Sequence, residues 1–258
     1  MRGMRVGWAG DDRMHLIATA EAARTGRKRA VAGDGMRFWL TPYFGSTRYD
    51  TAGREAPSSA DAVAFLVEQD AGEVTTAHYH QADEFQVVVA GNGTLGRHVV
   101  RPVSLHFAGA YTSYGPIQAG AGGLTYFTLR NGFDPGARYM LREDNRAALR
   151  AISGRRHREG VAGPLTADSP TVVLGPEPDG LAAWRHSVGA GQPLRGSSPT
   201  DGGGQYWLVV EGRLDLSGGA ELGPLSCVFV PPDDARFAAR GGSGGAVVLA
   251  MQFPRRPH

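Results

Sequence analysis

The segment EFQVVVAG at residues 84–91 returns later in the chain as QYWLVVEG at 205–212, and the residues downstream keep step in both copies. SLHFAGAYTSY (104–114) matches SCVFVPPDDAR (226–236), and GLTYFTLR (123–130) matches AVVLAMQF (246–253). Gly91 lies 13 residues before Ser104, and Gly212 lies 14 before Ser226. Such regularity marks the internal duplication of a unit of about 100 residues. Each matched segment is a short run rich in Val, Leu, Phe and Tyr, bounded by glycine or polar turns. That is the pattern of β-strands.

The rest of the chain fits an all-β reading. Gly 38 and Pro 16 are spread along all 258 residues, which gives many turns between short strands. Strand-like runs fall at 37–44, 62–69, 73–80, 84–90, 94–101, 103–108 and 123–130, then at 171–174, 182–188, 205–212, 225–230 and 246–253. Between the two sets, 144–154 predicts a helix capped by Asp144 or Asn145 and stopped by Gly154, and 154–170 reads as a linker. Residues 1–35 read as an extension. Asp11 or Asp12 would cap a helix over 14–24 that Gly26 ends, and the basic stretch 26–29 reads as mobile. The expected organisation is therefore an extension (1–35), a first domain (36–143), a helical linker (144–170) and a second domain (171–258).

Composition removes several function classes. The net charge is only +2, and the arginines gather weakly at 24–29, 155–158 and 255–256, which reads as solvated surface. No nucleic-acid motif, GxSxG element, phosphate loop or dinucleotide fingerprint is present. Cys227 is the single cysteine, so no intrachain disulfide can form, and a reducing cytoplasm is the expected setting. No apolar run approaches the ~18 residues of a membrane helix. The two N-terminal arginines are not followed by the apolar core of a signal peptide.

The chemistry concentrates at residues 72–91, GEVTTAHYHQADEFQVVVAG. Residues two apart on a strand share a face, so His78 and His80 can aim at one point. The polar break Gln81-Ala82-Asp83 suits a turn that brings Glu84 back to the same point. Two imidazoles and a carboxylate with open positions match the donor set of non-haem Fe(II) oxygenases, and also of some zinc hydrolases. The plainer reading of the same residues is a polar strand end without metal.

Gly72, His78, His80, Glu84 and Gly91 occupy every position of the first signature of the cupin superfamily, and with the duplication the chain resembles a bicupin. The resemblance spans about residues 36–258. It implies tandem jelly-roll barrels, with a metal inside the first. It also exposes departures. The third histidine of the second signature is replaced by Tyr114 in the first half and Arg236 in the second. In the second half Gln205 stands for the glutamate, and Pro199 and Asp201 for the two histidines. Only the first barrel is therefore expected to hold metal, one divalent ion per chain, with Fe(II) favoured over Zn, Mn or Ni.

His78, His80 and Glu84 are the expected ligands, with His106 or Tyr114 as a further donor and waters as the preferred completion. Gln86, His98, His106, Tyr111 and Tyr114 are the expected pocket residues. Arg130 reads as a surface residue that could pair with a substrate carboxylate, Trp184 as core, and His186 has no role. The resemblance implies an oxidoreductase of the dioxygenase type acting on a small polar organic molecule. A Zn, Ni or Mn isomerase or lyase, or a non-catalytic binding or sensing protein, is the alternative. The expected partner is a small molecule rather than nucleic acid or membrane, and a homodimer suits paired barrels.

Overall fold

The computed structural model describes residues 4–7, 14–45, 62–161 and 170–255. The structure is almost entirely antiparallel β. Among the described residues the two α-helices, Ala20–Arg24 and Glu143–Arg150, are short, and no helix is long and apolar enough to cross a membrane. The chain divides into two compact units: Gly26–Val161, and Met1–Thr25 together with Ala162–His258.

In the Gly26–Val161 unit one sheet runs in the order His157–Val161, Ser104–Ala108, Glu84–Leu95, Ile117–Arg130, Val63–Gln69, Arg37–Phe44, Lys28–Val31. Its core includes Leu40, Phe65, Val67, Val88, Leu124 and Tyr126. Alternation along the Glu84–Leu95 strand puts Glu84, Gln86 and Val88 on one face and Phe85 and Val87 on the other. The register stacks the first set in layers. Glu84 lies opposite Ala108 and Arg130, Gln86 opposite His106 and Thr128, and Val88 opposite Tyr126.

The other unit repeats this plan. Its sheet runs Met4–Gly7, Met14–Ala18, Cys227–Val230, Gln205–Asp215, Ala238–Gln252, Ala182–Val188, Thr171–Leu174. Its core holds Trp207, Val209, Val228, Phe237 and Val248, with Trp184 packed against it partly buried. The glycines that end the repeated motif have the same task in both units. Gly91 (φ +73) and Gly212 (φ +68) pass so close to the facing strand that an added Cβ would lie 2.2 Å from Gly123 O and 2.1 Å from Gly245 O. Only glycine fits there.

Several expectations need correction. Residues 14–24 are not one helix: Met14–Ala18 is a strand on the edge of Cys227–Val230, and the helix starts only at Ala20, capped by the Thr19 hydroxyl. The expected caps Asp11 and Asp12 lie outside the described residues. The basic stretch expected to be mobile runs into a paired strand, since Lys28–Val31 pairs with residues 37–40. Within the expected linker, His157–Val161 is the edge strand beside Ser104–Ala108. In each case sheet pairing overrides local propensity. The helix expected over 144–154 spans Glu143–Arg150, with Arg142 in the cap position.

Candidate functional site

His78, His80 and Glu84 meet in one buried cluster of the Gly26–Val161 unit. The segment 73–80 is not a continuous strand. Val74–Thr75 and His78–Tyr79 pair separately, and a bridge joins His78 to Tyr114. The rings of His78 and His80 stand edge to face at 5.2 Å, and His80 Nε2 lies 3.8 Å from Glu84 Oε2.

Neighbours set the tautomers of both rings. His78 Nδ1 donates to the Thr76 carbonyl at 2.7 Å, which leaves Nε2 facing the Tyr114 hydroxyl at 3.1 Å. His80 Nδ1 donates to Asp134 Oδ1 at 2.7 Å. Asp134 also accepts from the backbone N–H groups of Gln81 and Gly136, each at 2.7 Å. Burial, then the charge of His80, lowers His78 to about 4, so it is neutral at pH 7.

Both oxygens of Glu84 are engaged. Tyr114 donates to its Oε1 at 2.5 Å, and Arg130 donates to its Oε2 through Nε at 2.7 Å and Nη2 at 2.5 Å. Arg130 is only 6% exposed, so the expected surface role is wrong. Its Nη2 is 3.3 Å from His80 Nδ1 and 3.2 Å from Nε2. Such near-equal distances put the guanidinium over the imidazole face rather than in line with a nitrogen lone pair. Burial pushes the Glu84 carboxyl up, but the Arg130 and His80 charges and the Tyr114 hydrogen bond outweigh it and hold the carboxyl below its ordinary value. Asp134 is held low by His80 and Arg130 against the same opposition. Tyr114 is pushed well above its ordinary value by burial and by Glu84, so it is a neutral phenol.

The other expected pocket residues divide. Gln86 donates to the Tyr114 hydroxyl at 3.3 Å and accepts from His106 Nδ1 at 3.0 Å. His106 lies one layer from Glu84 and lines a different cavity. His98 lines that same cavity half exposed, paired with Glu159 at 2.8 Å. Tyr111 lines neither cavity. It sits in the turn that follows Ala108, where its N–H bonds His80 O and its ring meets Tyr79.

Comparison with solved structures places this architecture. A candidate dioxygenase of Nostoc punctiforme is similar over 96% of this chain and 89% of its own, with 13% identity and a TM-score of 0.65. The bacterial pirin YhhW of Escherichia coli, solved with nickel(II), covers 94% and 100% at 12% identity and TM-score 0.58. The oxalate decarboxylase of Bacillus subtilis, with Mn(II) centres, covers 98% and 80% at 12% identity and TM-score 0.55. The chain has a cupin fold. No protein-family model and no curated protein matches its sequence. At these identities the likeness speaks for the fold, and the site must speak for itself.

Within this cupin fold the signature residues converge, yet their arrangement does not fit a metal ion. Among the described residues no group of three His, Cys, Asp or Glu is disposed to hold one. The two imidazoles present suitable nitrogens, but both Glu84 oxygens are engaged. A guanidinium is bonded to the very carboxylate that would balance the ion's charge. Two cations sharing one carboxylate in a buried site repel strongly. Sequence reasoning missed Arg130 as a site residue because its partner is set by the register of strands distant in sequence. It missed Asp134 too, although Asp134-Pro135-Gly136 carries a turn signal directly after the Ile117–Arg130 strand.

Proposed function

We propose that the chain is a bicupin whose first barrel binds a small polar organic molecule, with Arg130 supplying the positive charge beside Glu84 in place of a divalent ion. The two-fold bond from Arg130 to Glu84 carries this reading. The cavity there is small, about 80 Å³, and is lined by His78, His80, Gln86, Tyr114, Thr128 and Tyr139 among others.

A second reading is a metal-dependent oxidoreductase of the dioxygenase type, or a Zn, Mn or Ni isomerase or lyase. It is favoured by the commitment of His78 Nδ1 to a carbonyl and His80 Nδ1 to Asp134. Such outer partners orient metal-binding histidines. This reading requires Arg130 to release Glu84.

Elemental analysis of protein purified without chelator, followed by Ni(II) and Mn(II) titration calorimetry, separates the two. The first reading expects substoichiometric metal in the wild type and a gain of Ni(II) binding in Arg130→Ala, lost again when His78→Ala and His80→Ala are added. Stoichiometric iron in the wild type, with substrate-dependent O₂ uptake, would replace it with the second.

A further inference from the structure

The Gly26–Val161 unit holds a second and larger cavity, on the far side of Gln86 from Glu84. Its volume is about 330 Å³. Val88, Leu95, Val100, Ile117, Leu124 and Tyr126 give it a mostly apolar wall, and the ion pair between His98 and Glu159 stands at its rim. One polar atom in this wall lacks a partner. His106 is 4% exposed, and its Nε2 is buried without a hydrogen bond. A buried polar atom left unpaired costs about 1–3 kcal/mol, so it calls for an explanation.

The hydrogen-bond chain from Glu84 fixes what that atom is. The Tyr114 proton goes to Glu84, so the Tyr114 oxygen accepts from Gln86 Nε2. This turns Gln86 Oε1 toward His106, and Nδ1 of His106 must then carry the proton. His106 is buried, the His157 ring stands 4.5 Å away, and among the described residues no carboxylate pairs with it, so the ring holds one proton only. Nε2 is left as a bare acceptor. An acceptor at the end of an apolar chamber pairs with a hydroxyl or N–H and offers nothing to a second acceptor.

We propose that this cavity is a binding site for an apolar molecule carrying one hydrogen-bond donor, whose O–H or N–H is taken by His106 Nε2. The site is a different cavity from that of the Glu84 cluster, and the proposal rests on the reading of that cluster only through the Tyr114–Gln86 relay that sets the His106 tautomer.

The test uses 2-naphthol and 2-methylnaphthalene, two probes of nearly equal shape that differ in the donor, measured by titration calorimetry on the full chain. The expected result is binding of 2-naphthol about tenfold tighter than the methyl analogue, the worth of one net hydrogen bond. His106→Phe should abolish the preference. Val88→Trp should fill the chamber and remove both probes, with circular dichroism confirming that each variant is folded. Failure of the wild type to bind either probe, equal affinity for the two, or an undiminished preference in folded His106→Phe would overturn the proposal.

Discussion

The two units place the same strands in the same register and put opposite chemistry on the inward face. Glu84 faces Arg130 in one, and Gln205 faces Gln252 in the other. Gln86 pairs with His106, where Trp207 pairs with Val228. The charged pair thus becomes a neutral one, with Gln205 Nε2 donating to Gln252 Oε1 at 2.8 Å and Trp207 Nε1 to Gln205 Oε1 at 3.1 Å. The indole packs on Phe237 at 4.8 Å and occupies the level at which the other unit carries its polar relay. One scaffold therefore admits either a polar, ligand-sized interior or a filled one, and a few inward positions decide which.

The largest effect is expected where the charged pair is broken. Arg130→Gln leaves the Glu84 charge buried and uncompensated, at a cost of about 3–5 kcal/mol in denaturant unfolding. Adding Glu84→Gln writes the neutral pair of the second unit into the first and should restore most of that loss. If the double variant is as unstable as the single one, the two pairs are not equivalent. Trp207→Ala should cost a similar amount, about 3–5 kcal/mol, by emptying the filled interior. A much smaller loss would mean that Trp207 does not hold the second unit as the packing implies.

A subtler difference concerns acid. His106 and His78 have native pKa values of about 3 and 4, below the unfolded value near 6.5, so the unfolded chain binds more protons as the pH falls. Stability is therefore full above about pH 6.5 and declines as the pH drops from there toward the native values. Each histidine withdraws up to about 2 kcal/mol by pH 5. His106→Val, the residue of the second unit, should remove that share of the loss between pH 7.5 and 5. An unchanged pH dependence would show that His106 is not the neutral buried group described. His186, lowered to about 4 by burial in the other unit, keeps part of the acid sensitivity in every variant.

Much of the fold was legible beforehand. The runs 37–44, 171–174 and 182–188 form strands over the expected residues, and the duplicated motif supplies an interior strand of each sheet. The convergence of His78, His80 and Glu84 was expected from strand alternation and a short turn, both local properties, although of the three only His78 and Glu84 lie in strands. The strand identity of Met14–Ala18 did not follow. Beside the alanine-rich stretch 20–24 it reads as the start of a helix, and pairing with Met4–Gly7 and Cys227–Val230 makes it a strand.

The sequence by itself determined the class of architecture and the gathering of three polar side chains, because alternation, turns and repeats act over neighbouring residues. Only the tertiary structure decided what those side chains do. The partners of Glu84 come from strands and turns 30 and 46 residues further along the chain, brought opposite it by register alone. In a buried site, the charge that arrives by such pairing decides the chemistry, and no local pattern of residues encodes it.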